Sequence, residues 1–181
     1  MAVHSQSLQI AEAGERLTLR YGEALEYHRG DSWFGVAVGF RMLQAAGAAL
    51  SRQRLWDRKR LFIVSGHPGD GVRDAVEYVT ACASRGRYRV EGAPVGGCNP
   101  SMRFSWEVGD GAAVAALRLR GDFVPDELYA LLERRGTAQE RDGDHERFAA
   151  LKRRLVDAIW DEPLAGLFQT DLLDAGMVGH A

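Results

Sequence analysis

Cysteine is scarce: Cys82 and Cys98 are the only two in 181 residues. That is too few for a disulfide scaffold and fits a reducing compartment, so each reads first as a small buried hydrophobe. An excess of charge of one sign is also missing. Lys and Arg number 23 against 25 Asp and Glu, a formal charge of -2, which leaves no global field to gather nucleic acid or anionic lipid. The longest basic stretch, RQRLWDRKR at residues 52–60, is broken by Leu55, Trp56 and Asp57 and reads as a solvated linker with one buried indole. No apolar run approaches the length of a membrane span, and the opening MAVHSQS lacks the basic and apolar regions of a signal peptide. These absences predict a cytoplasmic protein with no nucleic-acid and no membrane partner.

What is present suffices for one core. Hydrophobic residues make up 46% of a chain of ordinary single-domain length, and no repeat or low-complexity segment divides it. The pattern predicts a helix over 15–27, a break at HRGDSW (residues 28–33), and a second helix over 34–50 that is apolar nearly all round and therefore buried. Gly35, Gly39 and Gly47 each cost that helix roughly 1 kcal/mol, which points to the close approach of another backbone. Residues 61–64 read as an interior strand. The turn SGHPGDG, residues 65–71, then opens a helix to Cys82 with Asp70 as its N-cap, and Val72, Ala75, Val76, Val79 and Ala83 share one face.

A short strand at 88–90 and a Gly/Pro loop at 92–100 follow. Residues 102–108 alternate apolar with polar, a Gly-Asp-Gly turn intervenes at 109–111, and Ala115, Leu117 and Leu119 return, which is an antiparallel hairpin. Helices are predicted over 125–135 and 144–160, the second with Phe148, Leu151, Leu155 and Ile159 on one face, joined by a solvated connection at 136–143. The expected class is α+β, a single domain over 1–181 with a mixed or antiparallel sheet packed by helices.

Several groups with chemical potential stand out. The loop at 66–71 has the strand–glycine–helix order of phosphate-binding loops but neither of their motifs, and Asp70 puts a negative charge where a phosphate would sit. Nucleophilic catalysis would draw on Cys82 or Cys98 with His28 or His67, though no local signature pairs them. A metal centre would draw on His28, Asp31, His67, Asp74, Cys82 and Cys98, none of which shows ligand spacing. His4, His145 and His180 fall in polar or terminal stretches.

The stretch YHRGDSWFGVAVGFR, residues 27–41, resembles the signature of the FmdE family of formylmethanofuran dehydrogenase components, in which H-G-H-x-C-P-G leads into an apolar G-[YF]-R helix. GVRDAVEYVTAC, residues 71–82, is similar to that family's C-A-V-D-A-I-Q-x-x-T-G-C, MRFSW at 102–106 and the return at 112–120 to its hairpin, and EPLAGLF at 162–168 to its closing segment. The likeness covers about 15–170. It implies an α+β domain, commonly a homodimer, with a metal pocket lined by both blocks. The family's histidines align with Arg29 and Asp31 and its cysteines with Trp33 and Gly71, while Gly35, Gly39, Arg41, Asp74, Thr80 and Cys82 still match. The resemblance therefore implies a degenerate, metal-free pocket between residues 29–33 and the helix 71–82, serving one-carbon or redox metabolism. Trp33 would fill a former ligand position, Arg29 and Arg41 hold an anionic group of a small molecule, Asp31 and Asp74 accept hydrogen bonds, and Cys82 line the floor. The alternatives are an enzyme whose zinc, iron or nickel centre is rebuilt from His28, Asp31, His67, Cys82 and Cys98, and a non-catalytic component of a larger complex.

Overall fold

Leu8 and Ile10 alternate with polar neighbours, as do Leu17 and Leu19, and the chain accordingly begins with a hairpin rather than a helix. In the computed structural model, which describes residues 5–52, 54–92 and 101–174, strand β1 (Ser7–Glu12) pairs antiparallel with β2 (Glu15–Arg20). Ala13 and Gly14 between them both have positive φ, 54° and 87°, the two-residue turn whose twist suits a hairpin. Only the second half of the helix expected over 15–27 forms, as α1 (Tyr21–His28). The two-residue period of Leu17 and Leu19 decides the first half.

The order continues α2 (Trp33–Leu50), β3 (Phe62–Ser65), α3 (Asp70–Thr80), β4 (Tyr88–Val90), β5 (Ser105–Gly109), β6 (Ala113–Leu119), α4 (Asp126–Arg134), α5 (Asp144–Asp161), α6 (Leu164–Leu167) and β7 (Phe168–Asp174). A five-stranded sheet runs β4-β3-β5-β6-β7. β3 and β4 are parallel and every other pair is antiparallel, so the fold is α+β with a mixed sheet, as expected. β7 is an addition to that expectation. Only Phe168 of its seven residues is buried, so the strand carries no alternating pattern, and its register comes from pairing with β6, Leu119 opposite Phe168 and Ala113 opposite Asp174.

α2 is the spine. It packs against α3, α5 and strands β6 and β7, and its burial runs from Phe34 to Ala46 with few breaks. By length and composition this helix is long enough and apolar enough to cross a membrane, which corrects the reading that no run approaches a span; here most of it lies inside the protein. The backbone approach inferred from its glycines is present at two of them. A Cβ on Gly39 would lie 2.9 Å from the Ala75 Cβ, and one on Gly35 would lie 3.3 Å from the Gly71 Cα, both in α3. Gly47 instead faces a side chain, the Trp56 indole, at 3.0 Å.

α3 starts one residue away from the predicted cap. Gly69 is the N-cap, extended at φ -68° and ψ 137°, and Asp70 is already helical; its carboxylate sits in the first turn, where the helix dipole favours it. The Gly/Pro loop falls at 93–100, outside the described residues. Between α4 and α5 residues 136–143 are exposed throughout. A two-pronged pair closes that connection, with Arg134 Nε and Nη2 donating to the Asp144 carboxylate at 2.9 and 3.1 Å.

Candidate functional site

The loop from β3 to α3 is fixed by its own backbone. Ser65 Oγ accepts from the His67 N–H at 3.1 Å and donates to the His67 carbonyl at 2.9 Å, and the Gly66 N–H reaches Ser105 O of β5 at 2.9 Å. His67 is thereby held in place, 4% exposed, with its ring 4.6 Å from that of Phe104. Its Nδ1 accepts from the Gly69 N–H at 3.0 Å, so in the neutral ring the proton is on Nε2. Burial pushes the His67 pKa down to about 4, which keeps the ring neutral near pH 7. Among the described residues the Nε2–H meets no acceptor.

A cation faces the same space from α5. Lys152, with a side chain 9% exposed, donates from Nζ to the Asp31 carbonyl at 2.7 Å. Its ammonium lies 4.7 Å from the Trp33 ring centre and 4.9 Å from that of Phe148, close enough for both rings to attract it. Burial lowers its pKa, against the opposing pull of Asp31. The Asp31 carboxylate, 65% exposed, bridges Lys152 at 3.6 Å and Arg135 at 3.7 Å.

The third contribution is backbone. Gly71 presses against the start of α2: a Cβ there would fall on Ser32 O and 2.9 Å from the Val36 nitrogen. Only glycine permits this contact, and it brings the N-termini of α2 and α3 to one place. Ser32, Gly35, Gly69 and Gly71 line a cavity of about 130 Å³ together with His67, Lys152, Arg135 and Asp31. The remaining wall is apolar, from Phe34, Met102, Phe104, Leu128, Leu132 and Phe148. Two cations, a neutral N–H donor and the start of α2 face one lining carboxylate, while Asp70 already answers the dipole of α3 from its first turn, so the space favours an acceptor with negative charge.

No protein-family model matches the sequence, and a search of curated proteins finds no significant match. The chemistry of the site is read from its own residues.

Those named from the sequence take several places. Asp31 and His67 line the cavity. His28 stands beside it with both ring nitrogens engaged: Nδ1–H donates to Asp74 Oδ2 at 2.7 Å, and Nε2 accepts the Ser32 N–H at 3.2 Å. It ties α1, the turn and α3 together. Arg29 is the exposed C-cap of α1, at φ 52°. Trp33 is half-buried and carries the Lys152 ammonium.

Arg41 is buried and turned toward the end of α5. It donates from Nε to Ile159 O at 3.0 Å, from Nη1 to Gln44 Oε1 at 2.9 Å and from Nη2 to Glu162 O. Its guanidinium stacks over Trp160 at 5.1 Å, and burial lowers its pKa to about 10, so the charge persists and meets the carbonyl end of a helix. Thr80 donates to Val76 O at 2.7 Å. Cys82 is fully buried, donates from Sγ to Leu61 O at 3.4 Å, and burial pushes its thiol pKa up, the setting of an inert cysteine.

The cleft expected between residues 29–33 and the length of 71–82 is closed where Gly35 and Gly39 meet Gly71 and Ala75; the cavity opens past the N-terminal ends instead. Cys82 lies beyond the far end of α3, about 16 Å along the axis from its start. Among the described residues no three His, Cys, Asp or Glu side chains gather as metal ligands, so His28, Asp31, His67 and Cys82 are not brought into one centre; Cys98 lies outside the described residues. His145 is exposed.

Lys152, Arg135 and Phe104 were not singled out from the sequence. A signal existed for Lys152, which follows Phe148 by four residues and so shares its edge of the buried α5 face.

Proposed function

We propose that this chain is a divergent FmdE-like protein that binds a small molecule through an anionic group, in the cavity where α2 and α3 begin. One observation carries the binding reading: the His67 Nε2–H lines the cavity without an acceptor among the described residues, and the Lys152 ammonium lines it too with N–H bonds to spare. An anionic acceptor pairs with that donor while meeting Lys152 and two helix N-termini. A cation at the same place would face Lys152, Arg135 and both dipoles. The family reading is supported by the two sequence blocks at 27–41 and 71–82, which pack together through Gly35 and Gly71. Its setting in one-carbon or redox metabolism belongs to that resemblance.

The test is a thermal-shift panel of small metabolites on the full chain and on Lys152→Met, which keeps an apolar stem against Trp33 and Phe148. A ligand present at a hundred times its Kd stabilises the native state by about 2.7 kcal/mol, several degrees for a domain of this size. Anionic compounds should produce such shifts and neutral ones should not, with the shift lost in the variant. Equal shifts in both proteins, or none with any anion, would overturn the reading.

A further inference from the structure

The size and lining of the cavity specify the ligand further, on the basis of the anion reading above. Its volume of about 130 Å³ is close to the roughly 150 Å³ that accommodates one benzene molecule in an apolar protein interior. Phe34, Phe104, Leu128, Leu132 and Phe148 supply a wall that rewards carbon and offers no hydrogen bond.

Donors are few. The Ser32 N–H is taken by His28 and the Gly69 N–H by His67, which leaves the His67 Nε2–H and the free N–H bonds of Lys152 as the donors of the well-covered side chains, with the half-exposed Arg135 guanidinium beyond them. Each of the two can serve one oxygen of a carboxylate. A phosphate or sulfate is more strongly hydrated than a carboxylate, and seating it against aromatic and aliphatic walls removes water that those walls do not replace.

Asp31 fits the same picture. Its carboxylate lies within 3.6 Å of Lys152 and 3.7 Å of Arg135 and is mostly exposed, so it competes with an incoming carboxylate for the same cations. We propose that the cavity takes a small monocarboxylate whose body is a single ring or a branched chain of similar size, with His67 Nε2 and Lys152 Nζ donating to its oxygens and Asp31 as a competing internal anion.

The experiment is equilibrium binding by calorimetry on the full chain, with acetate, isovalerate, benzoate, 2-naphthoate, benzamide and inorganic phosphate as probes. Benzoate and isovalerate should bind at least ~10-fold more tightly than acetate, from the apolar area they bury. Benzamide, without the charge, and 2-naphthoate, with a second ring, should each fall at least ~10-fold below benzoate. Asp31→Asn, a change at an exposed side chain, should tighten benzoate binding several-fold, and Lys152→Met should weaken it at least ~10-fold. Phosphate or acetate binding that depends on Lys152, with benzoate no tighter, would overturn the carboxylate-and-ring inference and leave the anion reading standing. Absence of binding by every anion overturns both.

Discussion

His67 concentrates the chemistry of the site in one ring, and its protonation supplies the first test. In an unfolded chain a histidine titrates near 6.5, whereas burial holds His67 down to about 4 in the fold. Between those values the unfolded state binds a proton that the native state does not. The stability contributed is therefore complete above about pH 6.5 and is lost as the pH falls toward 4, by about 3 kcal/mol at most. Urea titrations at pH 7.5 and 4.5 on wild type and His67→Gln should show the wild type losing about 2–3 kcal/mol more than the variant over that interval; parallel losses would mean that the ring is not buried as described. The sequence places His67 in a loop before a helix and His28 beside a turn, but the engagement of both His28 nitrogens depends on Asp74, 46 residues away. Local spacing carries no trace of such a partner.

At the scale of elements, the junction of α2 and α3 is decided by Gly71. Replacing it with alanine improves helix propensity by about 1 kcal/mol, yet the added methyl meets Ser32 O and the Val36 nitrogen, backbone atoms that cannot rotate away. Overpacking of this kind costs about 1–3 kcal/mol or more, so the clash wins. Gly71→Ala should destabilise the chain by about 2 kcal/mol, while Gly22→Ala in α1, where a Cβ meets nothing within 4 Å, should stabilise it by about 0.5–1 kcal/mol. Denaturant midpoints of the two variants check the contrast, and a neutral Gly71→Ala would contradict the close junction. Much at this scale was legible. α2 announces itself by its long apolar run, and the stripe of α3, the hairpin of β5 and β6 and the two C-terminal helices by their period. β2 did not, because Leu17 and Leu19 are followed directly by α1 and the two periods run together. β7 did not, because an edge strand with one buried residue leaves no alternation to read.

Across the whole molecule, the cavity is assembled from segments that are distant in sequence: the turn at 31–35, the loop at 67–71, the strand approach at 102–104 and the helices α4 and α5. The sequence pointed to the first two, through the blocks that resemble FmdE, and placed a pocket along their shared length. Close packing through glycine fills that length, and the space appears at its end, where α4 and α5 bring Leu128, Leu132, Arg135, Phe148 and Lys152. No local pattern reports where a C-terminal helix will dock, so the spacing from Phe148 puts Lys152, the most buried cation of the site, on the covered face of α5 but does not bring it to this cavity. The central claim is that an anion sits against His67 and Lys152. It is tested most directly by an NMR titration of the histidine ring resonances with benzoate. The account predicts a saturable shift of the His67 ring, abolished by Lys152→Met, with the doubly engaged His28 ring moving far less; saturable benzoate binding that leaves His67 unmoved, or no binding at all, would contradict it.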